Sequence, residues 1–128
     1  IVEAFGLGVA IDYVTEIGMK NINNYESELT KTALNEMMDL DFVEIYGTSS
    51  DKNSIISFNL ENIHSHEVAS FLDVEGVAIR AGHHCCQPLM KKLNVNSTSR
   101  MSFGIYNTAD EIKVFINAIK KCRDFFKK

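Results

Sequence analysis

Three cysteines and one proline are all this sequence offers of the residues that staple or break a chain. Three thiols do not make a disulfide framework, and adjacent Cys85 and Cys86 are poor partners for each other. The chain therefore reads as a resident of a reducing, cytoplasmic compartment. Basic charge is scarce too: 13 Lys and Arg stand against 17 Asp and Glu, for a net charge of −4, with no basic patch. Nucleic acid is not an expected partner. No apolar run approaches the length that spans a bilayer, and no signal peptide is recognisable, so no membrane association is expected. Internal repeats, low-complexity segments and linkers are lacking as well.

What is present suits one domain. The 128 residues are 45% hydrophobic and 23% charged, enough for a single modest core. The first residue is Ile1, already in a helical pattern, which reads as a piece of a longer chain. Apolar residues from Val2 to Ile17 fall at helical spacing (Val2, Phe5, Val9, Tyr13), and Gly18 suits the position after a helix end. A second helix is expected from Ile22 to Met38, with Asn21 as its cap and Tyr25, Leu29, Ala33 and Met37 on one side. "FVEIYG", Phe42 to Gly47, is short and β-rich. "TSSDKNS" is a turn signal. In "IISFNL", Ile55 to Leu60, the residues Ile56, Phe58 and Leu60 alternate with Ile55, Ser57 and Asn59, as on a strand. Ser65 is placed to cap a short helix carrying Val68, Phe71 and Leu72, which Gly76 ends. "VAIR", Val77 to Arg80, and "RMSFGI", Arg100 to Ile105, read as strands. Thr108 and Glu111 fit a capping box for a last helix carrying Ile112, Phe115, Ile116, Ile119 and Phe126. Cys85 to Ser99 is expected to be a loop with one helical turn at Leu89 to Leu93. This order predicts an α+β fold: a small, mostly antiparallel sheet of about four strands with helices packed on one face.

The chemistry is concentrated in "RAGHHCCQPLM", Arg80 to Met90. Two histidines run into two cysteines directly after a strand, where loops carry function on a rigid scaffold. Three readings compete. A metal site has ligands enough, but adjacent residues point apart and zinc ligands are normally spaced by two to four residues. Recruiting His64 and His66 is not demanded by their spacing, and no metal is expected. A plain loop with one buried cysteine is the second reading, since free cysteine is often a small core residue. The third is a nucleophilic or redox thiol. The thiolate is the reactive form, cationic neighbours favour it, and Arg80, His83 and His84 supply such neighbours. Local physics does not choose among a carbon, a sulfur and a disulfide as its target.

"RAGHHC" followed by "QPLM", then "SRMSF", then "YNT", resembles the C-terminal part of the SufS/CsdA-type (group II) cysteine desulfurases. These are NifS-like pyridoxal-phosphate enzymes of aminotransferase fold type I. "GLGVAIDYVTEIG", "YESELTKTAL" and "SFLDVEGVAIRAGHHC" match in order and spacing, so the resemblance covers essentially the whole chain. It implies that residues 1–18 are the helix leading out of a large domain absent from this chain, and 19–128 the C-terminal small domain. It implies that Cys85 is the nucleophile, taking sulfur from L-cysteine as a persulfide, with release of alanine, and that this sulfur is delivered to iron-sulfur cluster assembly. Arg100 matches the arginine that grips the substrate carboxylate, a role that suits a guanidinium fork. Arg80, His83 and His84 would support the loop, the thiol or proton movement. A SufE- or SufU-type sulfur acceptor and a homodimer of the full-length enzyme are implied as partners.

Two departures stand out. Family members commonly carry alanine after the nucleophile, whereas this chain has Cys86; a second thiol there is either inert or a competitor for the persulfide sulfur, and Cys86 is expected to face the core and stay a thiol. The lysine that holds pyridoxal phosphate belongs to the large domain, and none of the ten lysines here stands in a matching context. The fragment alone is expected to bind no cofactor and to be inactive. The alternative is a non-enzymatic sulfur-carrier or docking module with a redox-active thiol.

Overall fold

The computed structural model of the chain describes residues 1–47, 49 and 54–127. Five helices and four strands follow in the order α1 (Val2–Ile17), α2 (Met19–Met38), β1 (Val43–Tyr46), β2 (Ile55–Leu60), α3 (Ser65–Val74), β3 (Arg80–Gly82), α4 (Gln87–Lys92), β4 (Thr98–Ser102) and α5 (Ala109–Phe126). The strands form one sheet in the order β1-β2-β4-β3, antiparallel throughout. This is the expected α+β architecture. Most of the "TSSDKNS" turn signal, at 48 and 50–53, lies outside the described residues.

The alternation in β2 decides which face is buried. Ile56, Phe58 and Leu60 point into the core, opposite Met101 and Ser99 of β4 and Ile45 and Val43 of β1. Leu29, Ala33 and Met37 of α2 close over them, with Val68 and Leu72 of α3 and Ile112, Phe115, Ile116 and Ile119 of α5. Phe58 and Phe115 meet edge to face, ring centroids 5.7 Å apart. The third thiol, Cys122, is fully buried here, and desolvation, with the Glu67 charge, pushes it up to about 11.

Several boundaries differ from the sequence reading for local reasons. Gly18, at φ 90°, turns the chain so tightly that α2 starts at Met19 rather than Ile22. Asn21 is therefore inside the helix, its Nδ2 donating to the Ile17 carbonyl at 2.8 Å. His64, not Ser65, caps α3, in a reciprocal capping box with Glu67. Ser65 is the first helical residue, and its buried Oγ lies 2.6 Å from Ser97 Oγ. Gly76, at φ 81°, ends that unit as expected. Its N–H bonds to Asp73 O while the Val77 N–H reaches Leu72 O. Val77 is thus occupied in capping the helix. Strand β3 begins at Arg80, where the chain comes opposite Arg100, instead of spanning Val77 to Arg80. Strand β4 is shifted the other way, toward the N-terminus, with Gly104 tied into a turn by Asn107 Oδ1.

Two larger differences concern the surfaces. The helical spacing of α1 is present, but α1 buries none of its residues, and Phe5 is 75% exposed. The expectation of helices on one face holds for α2, α3 and α5. The short α4 lies across the opposite face, where Leu89, Met90 and Leu93 look onto Ile55, Ser57 and Arg100.

Candidate active site

The cysteine loop leaves β3 at Gly82, whose φ of 131° is closed to other residues without strain. His83 O then accepts from Cys86 N–H at 2.9 Å, closing a four-residue turn. Its two central residues, His84 (φ 53°) and Cys85 (φ 59°), are both left-handed. Each such non-glycine residue costs about 1–2 kcal/mol, and strain of this kind persists only where the surroundings enforce it.

The enforcement comes from β4. His84 Nε2 lies 3.0 Å from both the carbonyl and the Oγ1 of Thr98, which is 1% exposed. A ring nitrogen facing a carbonyl must carry the proton, so Nδ1 is the bare acceptor; it is buried and has no hydrogen-bond partner. Desolvation lowers the His84 pKa. The Thr98 bond opposes this, and the Arg100, Arg80 and His83 charges reinforce it. His84 is therefore a neutral ring tied to the sheet. His83, one residue earlier, is exposed.

The same strand pair sets two arginines face to face. Arg80 and Arg100 are direct cross-strand partners, and Arg100 also lies opposite Ser57. All three point away from the helical core. Like charges directly opposite are destabilising. Yet among the described residues neither arginine forms an ion pair. Arg80 instead reaches Cys85 Sγ at 4.0 Å. The face thus presents uncompensated positive charge beside an exposed thiol, an arrangement complementary to an anion.

Cys85 and Cys86 are both exposed. The expectation that Cys86 faces the core is wrong: α4 lies on the open face of the sheet, and Cys86, which precedes it, goes with it. Cys86 lines a cleft of about 410 Å³ with Arg100, His83, His84 and Thr98. Cys85 does not line that cleft; it stands at the turn tip beside Arg80. A larger cleft of about 770 Å³ opens at the other end of the face, near Asn59 and Ser97, but holds no cysteine or arginine.

Among the described residues no lysine lines the Arg100 cleft, so these residues do not fit covalent anchoring of pyridoxal phosphate. Among the described residues no group of three or more His, Cys, Asp or Glu is arranged to hold a metal. No helix among them is long and apolar enough to cross a membrane. The structure thus gathers Arg80, His83, His84, Cys85 and Arg100 at one end of one face. The sequence reading missed Thr98, although its place two residues before Arg100 in an alternating strand puts both on that face.

Comparison with known proteins extends this picture. Residues 1–115 match the family model described as Aminotransferase class-V. The chain is 51% identical over 127 residues to a probable cysteine desulfurase of Staphylococcus aureus (strain Mu50), and 47% identical to one of Staphylococcus epidermidis. Each match covers 98% of this chain and 31% of the relative, so the chain spans about a third of the length of those proteins. Among solved structures, an apo cysteine desulfurase from Thermococcus onnurineus superposes with a TM-score of 0.87 at 37% identity, over 92% of this chain and 30% of that one. The cysteine desulfurase CsdA of Escherichia coli, in an S-sulfonic acid form, gives 0.87 at 25% identity, over 94% and 30%.

Proposed function

The chain belongs to the aminotransferase class-V family, and from that premise we propose that it is the small domain of a pyridoxal-phosphate-dependent cysteine desulfurase. In this reading residues 1–18 lead out of the large domain, and residues 19–128 carry the nucleophile and a substrate anchor. The exposed apolar stripe of α1 supports it, as a surface fitted to the remainder of a longer protein. So do relatives about three times as long. The cofactor and its lysine belong to that remainder.

The observation that carries the reading is the pairing of a thiol held out on a strained turn with two arginines that have no ion-pair partner among the described residues. Arg100 grips the carboxylate of L-cysteine through its guanidinium fork. The Cys85 thiolate attacks the substrate sulfur, and the carbon–sulfur bond breaks with its electron pair passing to the carbon fragment, which takes up a proton and leaves as L-alanine; the cofactor held by the large domain would supply the electron sink. The sulfane sulfur stays on Cys85 as a persulfide. Arg80, within reach of Cys85 Sγ, sits beside the negative charge of thiolate or persulfide. Neutral His84 holds the turn, and exposed His83 is placed to carry protons. The persulfide then passes to an acceptor protein of the SufE or SufU type, for iron-sulfur cluster assembly, from a homodimeric cytoplasmic enzyme.

The test is alanine release from L-cysteine by the full-length protein. Wild type is expected to form alanine, and Cys85→Ser none above background. Full turnover by Cys85→Ser would overturn the assignment. No alanine from wild type loaded with pyridoxal phosphate would return the domain to the sulfur-carrier reading.

A further inference from the structure

Cys86 is not used by the chemistry above, yet it is exposed, lines the cleft that contains Arg100, and follows the nucleophile directly. Ile55, Leu89, Met90 and Leu93 line the same cleft beside Arg100, His83 and His84, yet Cys86 is not buried among them. The core already has its cysteine, Cys122, and the buried side chain of α4 is Met90. A thiol next to a persulfide has two chemical options. It can attack the inner sulfur, expel sulfide and close a disulfide with its neighbour. Consecutive Cα atoms stand about 3.8 Å apart, below the roughly 4.4–6.8 Å that unstrained disulfides occupy. It can instead attack the outer sulfur. That displacement needs three sulfurs nearly in line, with the two Sγ atoms roughly 4 Å apart or a little more, since each S–S bond is about 2.05 Å. Neighbouring side chains that diverge from a turn meet the second requirement more easily than the first.

We propose that Cys86 is a relay thiol that takes the sulfane sulfur from Cys85 and holds it in the Arg100 cleft, freeing Cys85 for a second substrate. The inference rests on the desulfurase reading. The step is a thiol–persulfide exchange: Cys85–S–SH and Cys86–SH become Cys85–SH and Cys86–S–SH. The Cys86 thiolate forms the new S–S bond. The old bond breaks with its electron pair left on Cys85 Sγ, and the proton of Cys86 goes to that thiolate. Sulfur moves in the zero-valent state, so no external oxidant or reductant takes part. Regenerated Cys85 then attacks a second L-cysteine, releasing a second alanine. The domain stores two sulfane sulfurs where a single thiol stores one.

The experiment is a pre-steady-state burst of alanine from the full-length enzyme, read before steady-state turnover, with L-cysteine in excess and neither acceptor protein nor any other thiol or reductant present. Persulfides are mapped by alkylation and peptide mass spectrometry. Wild type is expected to release close to two alanines per protomer and to carry sulfane sulfur on both Cys85 and Cys86. Cys86→Ser and Cys86→Ala are each expected to halve the burst, with sulfur on Cys85 alone. Cys85→Ser is expected to label neither position, because Cys86 is filled only through Cys85. A wild-type burst of one, with sulfur confined to Cys85, overturns the relay and leaves the desulfurase reading standing. Sulfur on Cys86 in Cys85→Ser overturns the order of transfer. Absence of any burst in wild type overturns the desulfurase reading itself.

Discussion

The two faces of the sheet follow opposite rules. On one, Ile56, Phe58, Leu60 and Met101 are closed under three helices in ordinary close packing. On the other, two arginines face each other, two consecutive residues are left-handed, and among the described residues neither arginine has an ion-pair partner and the buried His84 Nδ1 has no hydrogen-bond partner. Nothing in the second set stabilises the fold; each feature costs free energy that the first face must offset. The three thiols divide the same way: Cys122 is held protonated by burial, while Cys85 and Cys86 stand in the open. One sheet thus separates folding from chemistry by the direction in which alternate side chains point.

Breaking the packed face has the largest expected consequence. Phe58→Ala removes a fully buried ring that meets Phe115, and should cost about 3–5 kcal/mol of stability by urea denaturation. The same truncation on the open face should behave differently. Arg100→Ala is expected to lower kcat/KM for L-cysteine roughly 10–150-fold, the worth of about 1.5–3 kcal/mol for hydrogen bonds to a charged group. Thermal stability should hold or rise slightly, because a like-charge cross-strand pair is relieved. A loss of stability comparable to that of Phe58→Ala would erase the distinction between the faces.

His84 sharpens the comparison through pH. Its folded pKa is depressed below the ordinary histidine value of 6.5, so the unfolded chain binds the proton more readily. Its contribution is therefore fully present above pH 6.5 and is lost as pH falls through the folded value. His84→Gln keeps an N–H donor for Thr98 O and does not titrate. The variant is expected to show less acid sensitivity than wild type between neutral pH and the acidic limb. Equal slopes in the two denaturation series would mean that the ring does not titrate as a buried neutral group. The smallest effect concerns backbone strain. Cys85→Gly should be more stable than Cys85→Ala by about 1 kcal/mol, because glycine accepts φ 59° without penalty. Equal stabilities would place the turn in another conformation.

Much of this was legible in the sequence, and the pattern of misses is physical. Period-two alternation in "IISFNL" gave β2 and its buried face correctly, and Thr108 with Glu111 gave the start of α5. Both signals are local. The strand edges of β3 and β4 depend on what lies opposite them, which no local pattern encodes. The N-terminus of α2 was set by the freedom of Gly18 rather than by Asn21 as a cap. At the site, "RAGHHCC" marked the loop. Its readable content stopped at residue types, since the consecutive left-handed turn is anchored by Thr98 of a strand, fourteen residues after His84. Divergence of consecutive side chains on an extended loop predicts Cys86 in the core, but the chain here turns through two left-handed residues and α4 lies on the opposite face, so both thiols are exposed.

The most direct test follows the sulfur itself. Full-length enzyme is given one equivalent of sulfur-labelled L-cysteine, quenched early by alkylation, and each cysteine peptide is read by mass spectrometry. The account predicts that label reaches the protein first on Cys85, never on Cys122, and that Cys85→Ser leaves every cysteine unlabelled. Label that enters at Cys86, or that persists on the protein in Cys85→Ser, would contradict it.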